Sequence, residues 1–162
     1  MSPLLYRPAT LADLDQLYDI RFSVLENQEP DPTAIPAPRV TAVLVEGGSF
    51  VCECEGRPVG FTMASASGRE PNLFALFVRP GFEGRGIGRR LLAMAEGWLK
   101  AAGVREARLS TEPDTRADRF YAEAGWERGS VGPDGEAVPH GRSVRVGAAS
   151  HSAAWKAHFE AV

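Results

Sequence analysis

Leu73-Phe74-Ala75-Leu76-Phe77-Val78-Arg79-Pro80-Gly81-Phe82-Glu83-Gly84-Arg85-Gly86-Ile87-Gly88-Arg89-Arg90-Leu91-Leu92 passes from an apolar run, through a glycine-rich turn, into helical spacing. The run 73–78 has no polar residue, as expected of a central strand covered on both faces. The glycines let a backbone approach an anion closely. The first N–H groups of the following helix have no intrahelical partner, and the helix dipole adds positive potential there. A strand, a glycine turn and a helix start together make a phosphate cradle. Arg85, Arg89 and Arg90 add charge of the right sign. The cradle is not a P-loop, which needs G-x-x-x-x-G-K-[ST]. Nor is it a dinucleotide fingerprint, because the spacing is G-x-G-x-G and the segment lies mid-chain.

Outward from this stretch, residues 88–102 read as a helix with a stripe of Ile87, Leu91, Ala95, Trp98 and Ala102, ended by Gly103. Residues 107–111 read as a strand. Asp114 caps a helix over 115–124, with Ala117, Phe120, Tyr121 and Ala124 inward. Residues 126–131 and 143–146 read as the last strands, around the turn Gly132-Pro133-Asp134-Gly135. Upstream, 4–7 is a strand. Thr10 and Asp13 form a capping-box pattern for a helix ending near Glu26-Asn27. Pro30, Pro32, Pro36 and Pro38 make 28–38 a loop, and a short helix over 39–45 is weakened by its β-branched residues. Strands 49–55 and 59–65 join through a turn at Gly56-Arg57. In the first of these, Phe50, Cys52 and Cys54 share one face, so the two cysteines read as core residues of a reducing compartment. The β-α-β portion demands a parallel strand pair and the hairpins demand antiparallel ones, so the fold is α/β (α+β) with a mixed sheet.

The composition suits one domain of 162 residues, 44% hydrophobic and 24% charged. A net charge of −3 argues against a nucleic-acid or membrane-surface partner, which calls for a basic excess. No apolar run is long enough for a membrane span, and the first eight residues lack a signal-peptide pattern, so a cytoplasmic location is expected. Residues 150–162 read as a terminal helix, separate from the domain 1–149. Its Trp155, Phe159 and Val162 would pack on the domain or on a second copy in a homodimer. His151 and His158, on that helix, stand about 10.5 Å apart along the axis and cannot share one ion, so no metal is expected.

The central stretch resembles motif A of the GCN5-related N-acetyltransferase (GNAT) superfamily, [QR]-x-x-G-x-[GA] after a strand of the form Leu-Tyr-Val-x-Pro. Here Leu76-Phe77-Val78-Arg79-Pro80 precedes Glu83-Gly84-Arg85-Gly86-Ile87-Gly88. A second signature of the family, N-x-x-A-x-x-F-Y-x-x-x-G-F, is matched by Asp114 through Trp126, with Ala117, Phe120, Tyr121 and Gly125 in place. The resemblance covers roughly residues 4–131. It implies a mostly antiparallel sheet whose central parallel pair splays apart, with helices flanking it. It also implies acetyl-CoA as cosubstrate. The N–H groups of Gly84, Arg85, Gly86, Ile87, Gly88 and Arg89 would hold the pyrophosphate. The edge of Leu76, Phe77 and Val78 would pair with the pantetheine amides, and Asp114 would lie against the cofactor.

The resemblance further implies Val78 N–H as oxyanion donor. Tyr121, also against the cofactor, would be the acid that protonates the departing thiolate; a phenol of pKa ~10 keeps its proton at neutral pH. Three positions depart from the family pattern. Glu83 replaces Gln or Arg, Asp114 replaces Asn, and Asn72 stands where some members carry a glutamate base. For the base, Glu112 lies just past the second splayed strand. Glu70, Glu26, His140 and a water relay are alternatives. The acceptor, a primary amine on a small molecule or peptide, would bind between the helix 1 to strand 2 segment and the last hairpin. A non-catalytic acyl-CoA-binding regulatory domain is the competing reading, favoured by Asn72, Asp114 and the absence of an obvious base.

Overall fold

A computed structural model describes residues 2–24, 37–67, 71–110, 116–128 and 141–145. The sequence readings at Glu26, Glu70, Glu112, Asp114, His140, His151, His158 and the terminal helix fall outside them.

The strands are β1 (Leu4–Pro8), β2 (Ser49–Cys54), β3 (Arg57–Ser65), β4 (Asn72–Val78), β5 (Glu106–Ser110), β6 (Glu127–Arg128) and β7 (Gly141–Arg145). They form one sheet in the order β1-β2-β3-β4-β5-β7-β6. Every pairing is antiparallel except β4 with β5. The helices are α1 (Leu14–Ser23), α2 (Ala37–Val45), α3 (Ile87–Ala101) and α4 (Arg116–Glu123). Pleat alternation sorts the core into two layers. Val51, Phe61 and Met63 pack with Leu17, Ile20, Val40, Val43 and Leu44 of α1 and α2. On the opposite face, Cys52, Cys54 and Val59 pack with Ile87 and Leu91 of α3. The expected core placement of both cysteines is what the structure has; both are buried free thiols.

Several boundaries differ from the sequence reading. A single 3₁₀ turn, Leu11–Asp13, precedes α1, where the Asp13 carboxylate accepts the Thr10 N–H at 2.7 Å and both Arg7 terminal nitrogens at 2.7 and 2.9 Å. Helix α1 ends at Ser23, short of Glu26. The Ser23 hydroxyl donates to the Ile20 carbonyl, and Val24 turns extended. Helix α2 does form despite its β-branched residues. Val40, Val43 and Leu44 fall on one buried face, and Pro38 sits in the first turn, where its missing N–H costs nothing. The β2–β3 turn is Glu55-Gly56 rather than Gly56-Arg57. Both residues have positive φ, 54° and 75°, the requirement of a two-residue type I′ hairpin.

Ile87, Leu91 and Ala95 of the expected stripe are buried, and the buried face of α3 also takes in Leu92 and Leu99, whereas Ala102 lies beyond the helix and is exposed. Trp98 sits over Gly48, where a Cβ would come within 2.5 Å of the indole. Strand β5 and the last strand each begin earlier than expected, at Glu106 and Gly141, because they pair with each other from Glu106↔Arg145 to Ser110↔Gly141.

Candidate functional site

The parallel pair is joined at one register position, Asn72↔Arg108, with Arg108 N–H donating to Pro71 O at 2.9 Å. Beyond it β4 continues to Val78, bonded to β3 on one side, while β5 stays with β7. The two strands therefore splay, and the inner edge of β4 at Leu76, Phe77 and Val78 carries no ladder partner among the described residues. Backbone polar groups demand partners, so such an edge suits an extended ligand bearing amides.

A bulge contributes to the splay. Met63 faces Ala75 and Ala64 faces Leu73, which leaves Phe74 as one extra residue in β4. The bulge also sets the faces of the strand. Ala75 and Phe77 lie toward α1 and α2, whereas Leu76 and Val78 lie toward α3.

At the end of β4 the chain makes the expected cradle. Gly81, Gly84 and Gly86 have φ of 94°, 76° and 78°. At Gly84 and Gly86 a Cβ would point into open space, so the left-handed backbone, rather than crowding, calls for glycine. The first helical bond of α3 runs from Arg90 N–H to Gly86 O at 3.0 Å, leaving the N–H groups of Ile87, Gly88 and Arg89 ahead of the ladder. Glycine backbone, helix terminus and unladdered strand edge lie in sequence along one line, and together they fit a phosphate-bearing, amide-bearing cosubstrate.

The side chains divide differently from the charges. Arg85 donates to Ser2 O at 3.0 Å and lies 5.8 Å over Phe82, and Arg90 lies 4.9 Å over Tyr6. Both reach toward β1, and Arg89 is the exposed one. Glu83 folds back onto its own turn, accepting the Gly81 N–H at 2.7 Å. Backbone N–H groups of Glu83 and Gly81 hold its carboxyl below the usual range.

Tyr121 lies on the inner face of α4 in an apolar cluster that includes Leu73 of β4, Leu109 of β5 and Leu92 of α3. Its ring meets Phe120 edge-on at 5.2 Å and Trp126 at 5.9 Å. Burial pushes the phenol pKa above its ordinary value, so it stays protonated at neutral pH. Asn72, at the zipped end of the pair, is six residues from Val78, about 20 Å along a strand.

Two positions, Arg79 and Glu96, were not singled out from sequence. Phe120, expected inward on its helix, has its ring 3.7 Å from where a Gly88 Cβ would stand. Buried Arg79 locks the end of β4, donating to Pro58 O at 2.9 Å, Asp19 Oδ2 at 2.6 Å and Gln16 Oε1 at 3.0 Å. Glu96, inside α3, accepts the Trp126 indole N–H at 2.8 Å and ties α3 to the segment between α4 and β6.

On the α1–α2 side, against β3 and β4, lies a half-open hollow lined by Leu17, Tyr18, Arg21, Val40, Phe61 and Phe74 among others. The acceptor region expected from sequence, between the helix 1 to strand 2 segment and the last hairpin, falls largely at residues outside the described ones.

The family model described as "Acetyltransferase (GNAT) family" matches residues 11–126. An N-acetyltransferase of uncharacterised role from Methanocaldococcus jannaschii is 36% identical over 94 residues, 53% of this chain and 42% of that protein. The match thus spans under half the length of that relative. An aminoglycoside N(6')-acetyltransferase type 1 from Stenotrophomonas maltophilia is 30% identical over 134 residues, 75% of this chain and 84% of that one. In fold, the chain is similar to the PaiA N-acetyltransferase of Thermoplasma acidophilum, solved with coenzyme A, at a TM-score of 0.70 and 16% identity, covering 88% of this chain and 99% of that one. A sheet split at its parallel pair, with a glycine cradle at the end of β4, defines an acyltransferase class of fold. The chain belongs to the acetyltransferase (GNAT) family. Among the described residues no helix is long and apolar enough to cross a membrane.

Proposed function

We propose that this chain transfers an acetyl group from acetyl-CoA to a primary amine of a small molecule or peptide. The observation that carries the reading is the unladdered edge of Leu76, Phe77 and Val78 running directly into the cradle at Gly84 and Gly86. Acetyl-CoA supplies an activated thioester. The N–H groups across 84–89 bind its pyrophosphate, and the β4 edge aligns its pantetheine arm. Val78 N–H donates to the carbonyl oxygen as charge develops there. The amine nitrogen bonds to the acetyl carbon as the carbon–sulfur bond breaks, and the Tyr121 hydroxyl gives its proton to the leaving sulfur. The nitrogen's proton passes to Glu112 or to water. By the family resemblance, Asp114 is assigned a contact with the cofactor.

Calorimetry with acetyl-CoA and CoA tests the reading, beside thiol release in an amine panel. At ligand ~100 times the dissociation constant, the chain gains about 2.7 kcal/mol of stability. Gly86→Asp, which puts a side chain and a negative charge on a left-handed backbone position, abolishes that gain. Absence of binding by the unaltered chain sinks the proposal. The burial of Tyr121 in an apolar cluster favours a second reading, a domain that binds acyl-CoA without turnover. Binding with no thiol release for any amine would select it.

A further inference from the structure

The hydrogen-bond pattern along β4 decides which backbone groups face the gap. Arg79 N–H donates to Val59 O at 2.8 Å, so Arg79 and Val59 form a bonded pair. Bonded and non-bonded pairs alternate in an antiparallel ladder. Val78, opposite Gly60, therefore holds a non-bonded position, and its N–H and C=O point away from β3 into the splay. The direction of that N–H, the group assigned to the developing oxyanion, is set at the last rung of the strand.

Arg79 is that rung, and its side chain is fastened more firmly than the ladder requires. Pleat alternation sends it to the α1 face, opposite Val78. There its Nε donates to Pro58 O at 2.9 Å, Nη1 to Asp19 Oδ2 at 2.6 Å and Nη2 to Gln16 Oε1 at 3.0 Å. The Arg79 side chain is only 7% exposed, whereas that of Asp19 is 60% exposed, so the tether runs from inside the fold to its surface. Gln16 and Asp19 are three residues apart and share one face of α1. A guanidinium is a rigid planar fork, so acceptors in β3 and α1 fix its orientation as well as its position. The Arg79 carbonyl accepts Phe82 N–H at 3.1 Å, where the chain leaves the strand for the cradle.

Resting on the proposed acetyl transfer, we infer that Arg79, tethered to Asp19 and Gln16, is a positioning residue for the oxyanion donor. Its side chain is committed to three protein acceptors and acts through Val78 rather than on the reacting atoms. It fixes the direction in which Val78 N–H meets the thioester oxygen, and it takes that direction from α1 rather than from the cradle.

Thiol release by the full chain is measured at saturating acetyl-CoA with spermidine, L-phenylalaninamide and an aminoglycoside, and with water alone. Calorimetry with acetyl-CoA counts the folded sites, and a melt is recorded for each variant. Arg79→Gln is expected to lower kcat per site by roughly tenfold or more, toward the ~10²-fold that a 1 Å misplacement costs, while acetyl-CoA affinity holds. Arg79→Lys keeps the charge but not the fork, and its kcat falls between the two. Where Arg79→Gln does not fold, Gln16→Ala combined with Asp19→Ala carries the test, since both residues are exposed and the Arg79 backbone bond stays in place. That double variant is expected to lose about threefold or more in kcat per site. An anchor that serves stability alone lowers the melting temperature and leaves kcat per site unchanged. That result, or a loss confined to acetyl-CoA affinity, overturns the inference and leaves acetyl transfer standing. A parent chain that does not bind acetyl-CoA, or binds it without thiol release, removes both.

Discussion

Glu96 offers a test of how α3 is held to the segment that follows α4. Its side chain is buried in α3, and burial pushes its carboxyl up from 4.5 to about 7, an effect the Trp126 N–H partly offsets. The folded chain therefore holds this proton more tightly than the unfolded chain does. Stability from that source is fully present below about pH 4.5, falls as pH rises, and is lost above about pH 7. At 1.36 kcal/mol per pH unit the amount is about 3 kcal/mol, a large fraction of a domain's stability. Glu96→Gln removes the titration but keeps a carbonyl to accept the indole N–H. The variant and the parent should be close in stability near pH 5. By pH 8 the variant should be more stable by about 2–3 kcal/mol, and the gap should open between these limits. Urea unfolding of both proteins at several pH values measures it, and subtracting one curve from the other removes every other titrating group. A gap that stays constant from pH 5 to pH 8, or that closes as pH rises, would refute the reasoning.

Tyr121→Phe keeps the ring, its contacts with Phe120 and Trp126, and the helix. If the hydroxyl protonates the thiolate, kcat falls by roughly 10²–10⁴ with little change in CoA affinity; a fall under about threefold returns the residue to the core. Arg79→Met strips donors from Pro58 O, Asp19 and Gln16 and should cost roughly 1–3 kcal/mol in chemical denaturation, since the buried Pro58 carbonyl loses its partner. A loss under about 0.5 kcal/mol, the size of an ordinary surface substitution, would show that the anchor carries no weight.

Local chemistry made the β4–turn–α3 segment legible. Six consecutive apolar residues mark a central strand, although Phe74 to Val78 stay partly buried rather than covered on both faces, and a left-handed backbone calls for glycine, so Gly84 and Gly86 announced the cradle before any fold was known. The same holds for the two cysteines, whose alternation with Glu53 set the buried face of β2. The Thr10–Asp13 cap was also readable, although Asp13 serves Arg7 as well, a contact made only when β1 and the turn before α1 meet. Boundaries were less legible where a distant strand decided them. Strand β5 begins at Glu106 because β7 pairs there, and the β2–β3 turn sits at Glu55 because the two-residue hairpin register requires it.

The gap between β4 and β5 could not be read from either strand alone. It depends on a bulge at Phe74, defined only against β3, and on the choice of β5 to stay with β7. Arg79 fills the unspecified position between Val78 and Pro80 in the family pattern, and its worth lies in three acceptors 21 to 63 residues away in the chain. The hollow is likewise a product of assembly, for Leu17, Val40, Phe61 and Phe74 belong to four elements that share no local pattern. Sequence settled what depends on backbone conformation and on the period of a single element. Folding settled what depends on which elements become neighbours, because the energy of those contacts is shared between residues far apart in the chain.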